Sequence, residues 1–489
     1  MIEFSATEHA GFVLPSLSRR RFLLHSAAAS LATLLPLQNI VAETPPPTSG
    51  RPKPADRHFH SEAVEEYIGK IRARIPDREL GRLFENCFPN TLDTTVEPGS
   101  FEDKPDTAVI TGDIPAMWLR DSSAQVWPYL PLAAHDEQLR ALLEGVIRRQ
   151  TRCILIDPYA NAFMANLNAP PLPWSRNDET DMKPGVGERK YELDSLCYPI
   201  RLAYGYWQNT HAVQPFDAQW REAMHLTVKT MREQQRKQGP GPYHFQRHAT
   251  TPTETLGEKG YGNPVNPVGL IASGFRPSDD ACIFPFLVPS NLFAVTSLRR
   301  LADMARVILL DDPLVQDSLS LANEVERALQ QYAIANTQKG PIWAYEVDGF
   351  GSQLLMDDAN VPSLLALPYL DCSPDAALYA RTRAFVWSAR NPWFFQGTAG
   401  EGVGGPHEGR DMIWPMSQII YGLTSHSHEE IRRMLQLLRA SSAGTGFIHE
   451  SYFENDVHRY TRAWFAWANT LFGEFVARIA TGQPELLGV

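Results

Sequence analysis

The chain has 489 residues, of which 43% are hydrophobic and 21% are charged. This composition is typical of a folded globular protein and excludes wholesale disorder, collagen-like repeats and a small disulfide scaffold. The formal net charge is −11, and the sequence has no basic stripe. We therefore expect no nucleic-acid partner and no binding to anionic membranes. Past the N-terminal region, no apolar run reaches the roughly 18 residues of a membrane span.

Residues 1–42 have the pattern of a bacterial twin-arginine export signal. Ser18–Leu23 combines consecutive arginines with an apolar pair, an alanine-rich apolar segment follows over 24–37, and Ala42 offers a small residue for cleavage. The alternative is a basic first turn on an apolar structural helix. The pattern predicts recognition by the twin-arginine export machinery and a periplasmic or secreted mature protein. The proline-rich segment that follows predicts a stiff linker over 43–57, ahead of a folded domain over 58–489.

Apolar residues recur at helical spacing along most of the folded domain. The spacing predicts helices near 62–75, 79–88, 121–132, 139–147, 192–209, 216–231, 298–308, 313–335, 360–369, 374–390, 411–423, 427–441 and 459–480. The Gly/Pro-rich stretches 239–270 and 396–410 show no strand alternation, and loops of this length are uncommon unless they carry function. Helices joined by long loops favour a toroid of helix pairs, with a HEAT-like solenoid as the alternative.

The first polar cluster lies in residues 113–123, where Trp118, Arg120 and Asp121 fall within four positions at the predicted entry to a helix. An arginine and an aspartate can form a rigid, charge-assisted pair, and a tryptophan beside them can pack against the apolar face of a sugar ring. The alternative is a buried salt bridge beside a core tryptophan.

The second cluster is the adjacent pair Asp279 and Asp280, which follows Pro277 and precedes the apolar residues 283–286. A carboxyl group held in apolar, aromatic surroundings has a raised pKa, which a general acid needs at neutral pH. The alternative is a helix N-cap with a solvated neighbour.

Two glycine-containing segments each present a His-Glu pair. In residues 402–409 the glycines permit close approach of the backbone to a ligand and present His407. In residues 444–452 they permit a sharp turn before His449 and Glu450. The alternatives are a plain structural turn for the first segment, and a surface ion pair or a capped helix for the second.

Several classes of site are absent from the sequence. There is no GxSxG nucleophile elbow, no GxGxxG dinucleotide fingerprint, no phosphate-binding P-loop, no HExxH zinc helix and no EF-hand. Asp357, Asp358 and Asn360 lack further ligands at fixed spacing, which favours a solvated turn over a metal site. The five cysteines are scattered and form no CxxC pair, so we expect buried free thiols rather than a disulfide framework or a zinc site.

In this order, the clusters resemble glycoside hydrolase family 125, the exo-α-1,6-mannosidases. The matching stretches are DIPAMWLRDSSAQVWPYL (113–130), DPYANAF (157–163), YELDSLCYPIRLAY (191–204), FRPSDDACIFPFLVPSN (275–291), GGPHEG (404–409), IWPMSQ (413–418), GFIHES (446–451) and TRAWFAWANTLFGE (461–474). The resemblance implies an all-α (α/α)6 barrel of six inner and six outer helices, with long active-site loops and a pocket at one end. It implies inverting hydrolysis of a terminal non-reducing α-1,6-linked mannose on an oligosaccharide or N-glycan, without a metal or other cofactor.

The resemblance also implies roles for individual residues. The general acid would be an aspartate of the RPSDD motif, with Asp279 favoured over Asp280 because related toroid families use the first aspartate of a similar turn. The general base would be Glu450. The residues implied to line the mannose subsite or to contact the sugar are Trp118, Arg120, Asp121, Asn161, Arg276, His407 and His449.

An inverting glycosidase needs one protonated carboxyl group to protonate the leaving oxygen, and one ionised carboxylate to activate water on the opposite face. We therefore expect Asp279 and Glu450 to flank one pocket, with carboxyl groups roughly 6.5–9.5 Å apart and with surroundings that separate their pKa values. Three alternatives stay open: another inverting exo-glycosidase of the same toroid, such as an α-glucosidase; a carbohydrate-binding protein without activity; and a metal-dependent mannosidase.

Overall fold

The structure, a computed structural model, describes residues 49–372 and 375–488, and the predicted export signal lies outside these ranges. The described chain forms a closed double ring of helices, the (α/α)6 toroid, and not the solenoid. Its helices are α1 (Glu62–Arg72), α2 (Arg78–Cys87), α3 (Asn90–Thr94), α4 (Leu119–Val126), α5 (Glu137–Ile156), α6 (Leu193–Thr210), α7 (Ala218–Glu233), α8 (Val288–Met304), α9 (Asp312–Tyr332), α10 (Ala376–Val386), α11 (Pro415–Leu423), α12 (His428–Ser441) and α13 (Ala466–Gly482).

The inner ring of the toroid consists of α4, α6, α8, a run of turns at 365–371, α11 and α13. The helices α5, α7, α9, α10 and α12 each follow an inner element and lie outside it, and α2 contacts both α12 and α13 where the outer ring closes. Every residue of the inner helix α4 is buried, because neighbours surround it on all sides. The outer helix α12 buries one apolar stripe and exposes its other face.

Some predicted helix boundaries differ from those observed. The predicted helix at 360–369 is a run of turns, and the carboxylate of Asp357 accepts hydrogen bonds from two of its backbone N–H groups at 2.8 and 2.9 Å. Helix α13 begins at Ala466 rather than at 459, because residues 456–461 pair as a strand. Helix α8 begins at Val288, well before the predicted 298. Pro289 lies in its first turn, where the missing backbone N–H of a proline is tolerated.

Short antiparallel strands lie in the loops that lead from an outer helix to the next inner element. Most of them have two or three residues, which is too short for a period of two to show in the sequence. Strands β3 and β6 run directly into α4 and α8, so the small sheets hold the N-terminal ends of inner helices in place. The strands are β1 (Val96–Phe101), β2 (Lys104–Val109), β3 (Ala116–Trp118), β4 (Ala162–Met164), β5 (Val186–Glu188), β6 (Phe286–Leu287), β7 (Ile334–Thr337), β8 (Gly340–Trp343), β9 (Glu346–Val347), β10 (Gln353–Leu354), β11 (Phe394–Gln396), β12 (Glu401–Val403), β13 (Met412–Ile413), β14 (Ser451–Phe453) and β15 (Asp456–Thr461).

The cysteines behave as the sequence predicts. All five are buried free thiols, and burial raises the pKa of Cys153 to about 12, which keeps that thiol unreactive. Over the ranges that the structure describes, none of the helices combines the length and hydropathy of a transmembrane segment.

The predicted linker is not a free spacer over the part that the structure describes. Arg51 forms ion pairs with Asp93 at 2.7 Å and with Glu65 at 2.5 Å. The backbone N–H of Gly50 donates to Oδ1 of Asn86 at 3.0 Å. This N-terminal arm therefore belongs to the folded body, held by carboxylates of α1 and α3 whose proximity the sequence spacing does not reveal.

Arg51→Ala is expected to lower the free energy of unfolding by about 2 kcal/mol, because Asp93 would lose its closest cation and keep only Arg57, 3.6 Å away. The Asp93 side chain that would lose its partner is only 2% exposed. Chemical denaturation measures the change. Lys53→Ala, at an exposed position of the same arm, is the matched control and should stay within about 0.5 kcal/mol of the parent. Equal stability of the two variants would show that the arm contributes nothing.

Candidate active site

The N-terminal ends of the inner helices surround a pocket. Its walls combine aromatic rings with carboxylate, guanidinium and imidazole groups. This combination suits a sugar, which has apolar ring faces and hydroxyl groups around its edge. The lining residues are Trp118, Arg120, Asp121, Pro277, Ser278, Asp279, Asn360, His407, Trp414, Glu450, Arg462, Phe465 and Trp467.

Asp279 lies in the loop before β6 and is 6% exposed. Its backbone is in the left-handed region, with φ of +68°, which is uncommon for a residue other than glycine. Its Oδ1 accepts a hydrogen bond from Nδ2 of Asn161 at 3.2 Å and lies 3.9 Å from the guanidinium of Arg120. The loop thus presents this carboxyl group to the pocket.

Asp280 does not line the pocket, although it is the next residue in the chain. It is buried, and its Oδ2 accepts a hydrogen bond from Ser278 Oγ at 3.3 Å. Burial raises the pKa of Asp280 to about 6, with the carboxylate of Asp358 contributing in the same direction. Neither aspartate is the solvated neighbour that the sequence left as an alternative.

Glu450 lines the pocket from the turn just before β14 and is 5% exposed. Its Oε1 accepts a hydrogen bond from Nη1 of Arg462 at 3.3 Å, and its Oε2 accepts one from Thr461 Oγ1 at 3.4 Å. The guanidinium of Arg462 also binds the carboxylate of Asp113 and the carbonyl oxygen of Thr111. Glu450 therefore has a cationic partner that is itself held in place from two directions.

Arg120 is a buried cation at the start of α4. Its Nη1 donates to Oε2 of Glu192 at 2.6 Å, and its Nε lies 3.6 Å from Oδ2 of Asp121. Burial raises the pKa of Glu192 well above its usual range and that of Asp194 to about 6. Both interpretations of the first sequence cluster therefore hold. Arg120 belongs to a buried cluster of ion pairs, and the same residues form one wall of the pocket.

The structure separates the other predicted contact residues into two groups. Trp118 and His407 line the pocket, whereas Asn161, Arg276 and His449 do not. Nε of Arg276 donates to the buried carboxylate of Glu346 at 2.6 Å. Both ring nitrogens of His449 lie against backbone carbonyl oxygens, at 2.8 and 3.2 Å, and burial lowers its pKa. These three side chains are buried in the walls behind the pocket, where they hold loops.

Several pocket residues are not predicted from the sequence to contact the sugar, although most fall inside the stretches that carry the family resemblance. They are Pro277, Ser278, Asn360, Trp414, Arg462, Phe465 and Trp467. The closely spaced Arg462, Phe465 and Trp467 precede or begin an inner helix, as Trp118 and Arg120 do. An arginine among aromatic residues at a helix entry was the signal that could have found them.

The acidic pair Asp357 and Asp358 is buried, which corrects the predicted solvated turn. Oδ1 of Asp358 accepts hydrogen bonds from the backbone and side-chain nitrogens of Asn360 at 3.0 and 3.3 Å, and its Oδ2 accepts one from Ser278 Oγ at 2.9 Å. This carboxylate therefore ties two pocket-lining residues together. Over the described ranges, no three His, Cys, Asp or Glu side chains are grouped so that they could hold a metal ion.

The sequence matches a known family over most of its length. The profile of the metal-independent α-mannosidases, GH125, matches residues 77–477. The meiotically up-regulated gene 157 protein of Schizosaccharomyces pombe is 41% identical over 460 residues, which cover 89% of each chain.

Solved structures extend the comparison to the fold. A Streptococcus pneumoniae protein, described as a metal-independent α-mannosidase in a non-productive substrate complex with α-1,6-mannobiose, is similar with a TM-score of 0.82 and 39% identity. The similarity covers 87% of this chain and 100% of that one. A bacterial glucoamylase complexed with acarbose has a TM-score of 0.52 at 12% identity, over 86% of this chain and 59% of that one, which shows the shared toroid alone.

Proposed function

The chain belongs to family GH125, the metal-independent α-mannosidases, and we propose that it removes single α-1,6-linked mannose units from the non-reducing end of an oligosaccharide, with inversion. Asp279 is the proposed general acid and Glu450 the proposed general base. The observation that carries the proposal is that these two carboxyl groups, distant in the sequence, line the same aromatic-walled pocket.

Each of the two carboxyl groups lies near a guanidinium group that helps to hold it in the pocket wall. Glu450 forms an ion pair with the guanidinium of Arg462 at 3.3 Å. Asp279 lies 3.9 Å from Arg120, but that guanidinium binds Glu192 more closely, at 2.6 Å. Each guanidinium therefore also binds a second carboxylate more closely, Glu192 for Arg120 and Asp113 for Arg462.

In the proposed reaction, Asp279 gives its proton to the glycosidic oxygen as the bond from that oxygen to C1 breaks. Glu450 takes a proton from a water molecule, whose oxygen forms the new bond to C1 from the opposite face. The products are β-mannose and the shortened oligosaccharide. Asp279 ends ionised and Glu450 protonated, and proton exchange with solvent restores both.

The pocket walls supply groups suited to a terminal mannose. Trp118 offers an aromatic face, and Asp121 and His407 offer polar atoms for sugar hydroxyls. The nearby guanidinium of Arg120, 3.6 Å from the carboxylate, orients Asp121.

The α-1,6 linkage is proposed from the Streptococcus pneumoniae relative, which was solved with α-1,6-mannobiose in work on the processing of N-linked glycans. That protein covers most of this chain at 39% identity. We propose mannose-containing oligosaccharides of the N-glycan type as substrates. Membership of an α-mannosidase family argues against an α-glucosidase or a metal-dependent enzyme on this toroid.

Proton NMR on α-1,6-mannobiose is expected to show β-mannose first, before mutarotation produces the α anomer. The α-1,2, α-1,3 and α-1,4 isomers and an α-glucoside serve as parallel controls and should stay uncleaved. Early α-mannose would contradict the proposal, because retention would require one of the two carboxylates to act as a nucleophile. Cleavage of the glucoside alone would reassign the substrate.

Asp279→Ala and Glu450→Gln are each expected to lower kcat on α-1,6-mannobiose by about 10³-fold or more, the upper range of what acid–base catalysis contributes. Thermal unfolding should show that both variants stay folded. Asp456→Asn, an exposed acid a few residues after the proposed base, is the matched control with unchanged kcat. An active Asp279→Ala beside an inactive Asp280→Ala would move the general acid to the second aspartate.

We also propose that residues 1–42 direct export to the periplasm through the twin-arginine machinery, supported by the order of arginines, apolar segment and small residue. Replacing both Arg19 and Arg20 with lysine is expected to keep the enzyme in the cytoplasm of a bacterial host. Mannosidase activity in periplasmic and cytoplasmic fractions measures the effect, with Arg21→Lys as the control. Undiminished periplasmic activity of the double variant would refute this route.

A further inference from the structure

Lys190 is a buried lysine behind the pocket, in the loop between β5 and α6. Its ammonium group donates a hydrogen bond to the backbone carbonyl oxygen of Asp279 at 2.8 Å. Its own backbone N–H donates to Oδ1 of Asn161 at 3.1 Å. That bond turns the amide of Asn161 so that its Nδ2 faces Oδ1 of Asp279 at 3.2 Å. One residue therefore reaches Asp279 twice, once at the main chain and once through Asn161 at the carboxyl group.

The hydrogen bond from Lys190 to the main chain of Asp279 supports a strained backbone conformation. A left-handed backbone at a residue other than glycine is strained and persists only when its surroundings fix it. Asp279, with φ of +68°, is such a residue. Its N–H donates to the carbonyl oxygen of Arg276 at 2.9 Å, which closes the turn on one side. The ammonium of Lys190 holds the peptide oxygen on the other side.

The positive charge of Lys190 is balanced by a carboxylate other than Asp279, that of Glu254. Its ammonium donates to Oε2 of Glu254 at 2.8 Å and lies 5.1 Å from the ring centre of Phe275. Glu254 also pairs with Arg247 at 3.0 Å, and although burial acts in the opposite direction, these two cations lower its pKa to about 2. The lysine can therefore hold the loop strongly while Glu254 offsets its positive charge.

We propose that Lys190 is a positioning residue for the general acid, holding the Asp279 peptide directly and the Asp279 carboxyl group through Asn161. Asn161, which the family resemblance implied as a sugar contact, is instead the second residue that holds Asp279. The inference rests on the proposed role of Asp279 as the acid. It adds residues that touch neither the sugar nor the water. Their loss is expected to impair protonation of the leaving group most, because the bonds of Asn161 to Glu188 and Glu192, at 3.3 and 3.4 Å, are longer than its bond of 3.2 Å to Asp279.

The leaving group of the substrate separates this role from a general structural one. A glycosidic oxygen must be protonated as it leaves, whereas fluoride leaves without a proton. A variant that misplaces only the acid therefore loses activity on α-1,6-mannobiose and keeps it on α-mannosyl fluoride. A variant that distorts the whole pocket, or the base, loses activity on both substrates.

The experiment compares Lys190→Met, Asn161→Ala and Asp279→Ala with the parent on these two substrates. Lys190→Met is expected to lower kcat on α-1,6-mannobiose by about 10²-fold, with KM and the rate on α-mannosyl fluoride within about threefold, because only part of the general-acid contribution is lost. Asn161→Ala should show the same pattern. Lys183→Met, an exposed lysine just before β5 that pairs with Asp181, is the control and should match the parent on both.

Each outcome has a distinct meaning. An equal loss on both substrates for a folded Lys190→Met variant, or no loss on either, overturns the positioning role. If Asp279→Ala also loses the fluoride reaction, the proposed acid itself is wrong, and the failure belongs to the proposed function. Thermal unfolding identifies a variant that fails to fold. In that case Asn161→Ala, which leaves the Lys190–Glu254 ion pair intact, decides the question by the same ratio of rates.

Discussion

The mouth of the toroid depends on one buried cation, the guanidinium of Arg120. Arg120 lies in the first turn of the inner helix α4. Its guanidinium donates to Glu192, the N-cap residue of α6, at 2.6 Å, and lies 5.7 Å from the ring of Trp467 in α13. The Asp279 loop lies 3.9 Å from it. A charge removed from water is tolerated only when carboxylates and dipoles surround it. Arg120 therefore holds three inner helices and the loop of the proposed acid at fixed positions relative to one another. Because α4, α13 and this loop line the pocket, the same ion cluster also determines the shape of the pocket.

A second ion cluster, separate from the first, holds the other carboxyl group. Arg462 joins Glu450 to Asp113 and to the carbonyl oxygen of Thr111, so the loop after β15 is tied to the loop that leads into β3. Around Arg120, burial raises the pKa of Glu192 and of its neighbour Asp194. The two proposed catalytic carboxyl groups are therefore held by separate clusters of charged residues.

Both proposed catalytic residues lie in loops, yet neither loop is loosely held. Glu450 stands directly before β14, which pairs with β13 and β15, and Asp279 lies in a tight turn closed by backbone hydrogen bonds and by Lys190. The helices of the toroid form a ring, and the small sheets and turns at its mouth hold the two proposed catalytic side chains in place. Loop residues can then carry chemistry without losing the precision that catalysis needs.

The sequence by itself determined most of the helices, the family and the identity of Trp118, Asp279 and Glu450 as candidates, because apolar periodicity and motifs are properties of short stretches. The periodicity left a solenoid open, and the closed ring depends on contacts between distant helices. Only the tertiary structure decided which residues face the pocket. His449 is as suitable by type as His407, but its ring packs against backbone carbonyl oxygens in the wall. Asp279 and Asp280 are chemically identical neighbours, and a left-handed backbone at the first presents one to the pocket and buries the other. The direction of a side chain in a loop is set by partners far away in the chain, and no local pattern encodes them.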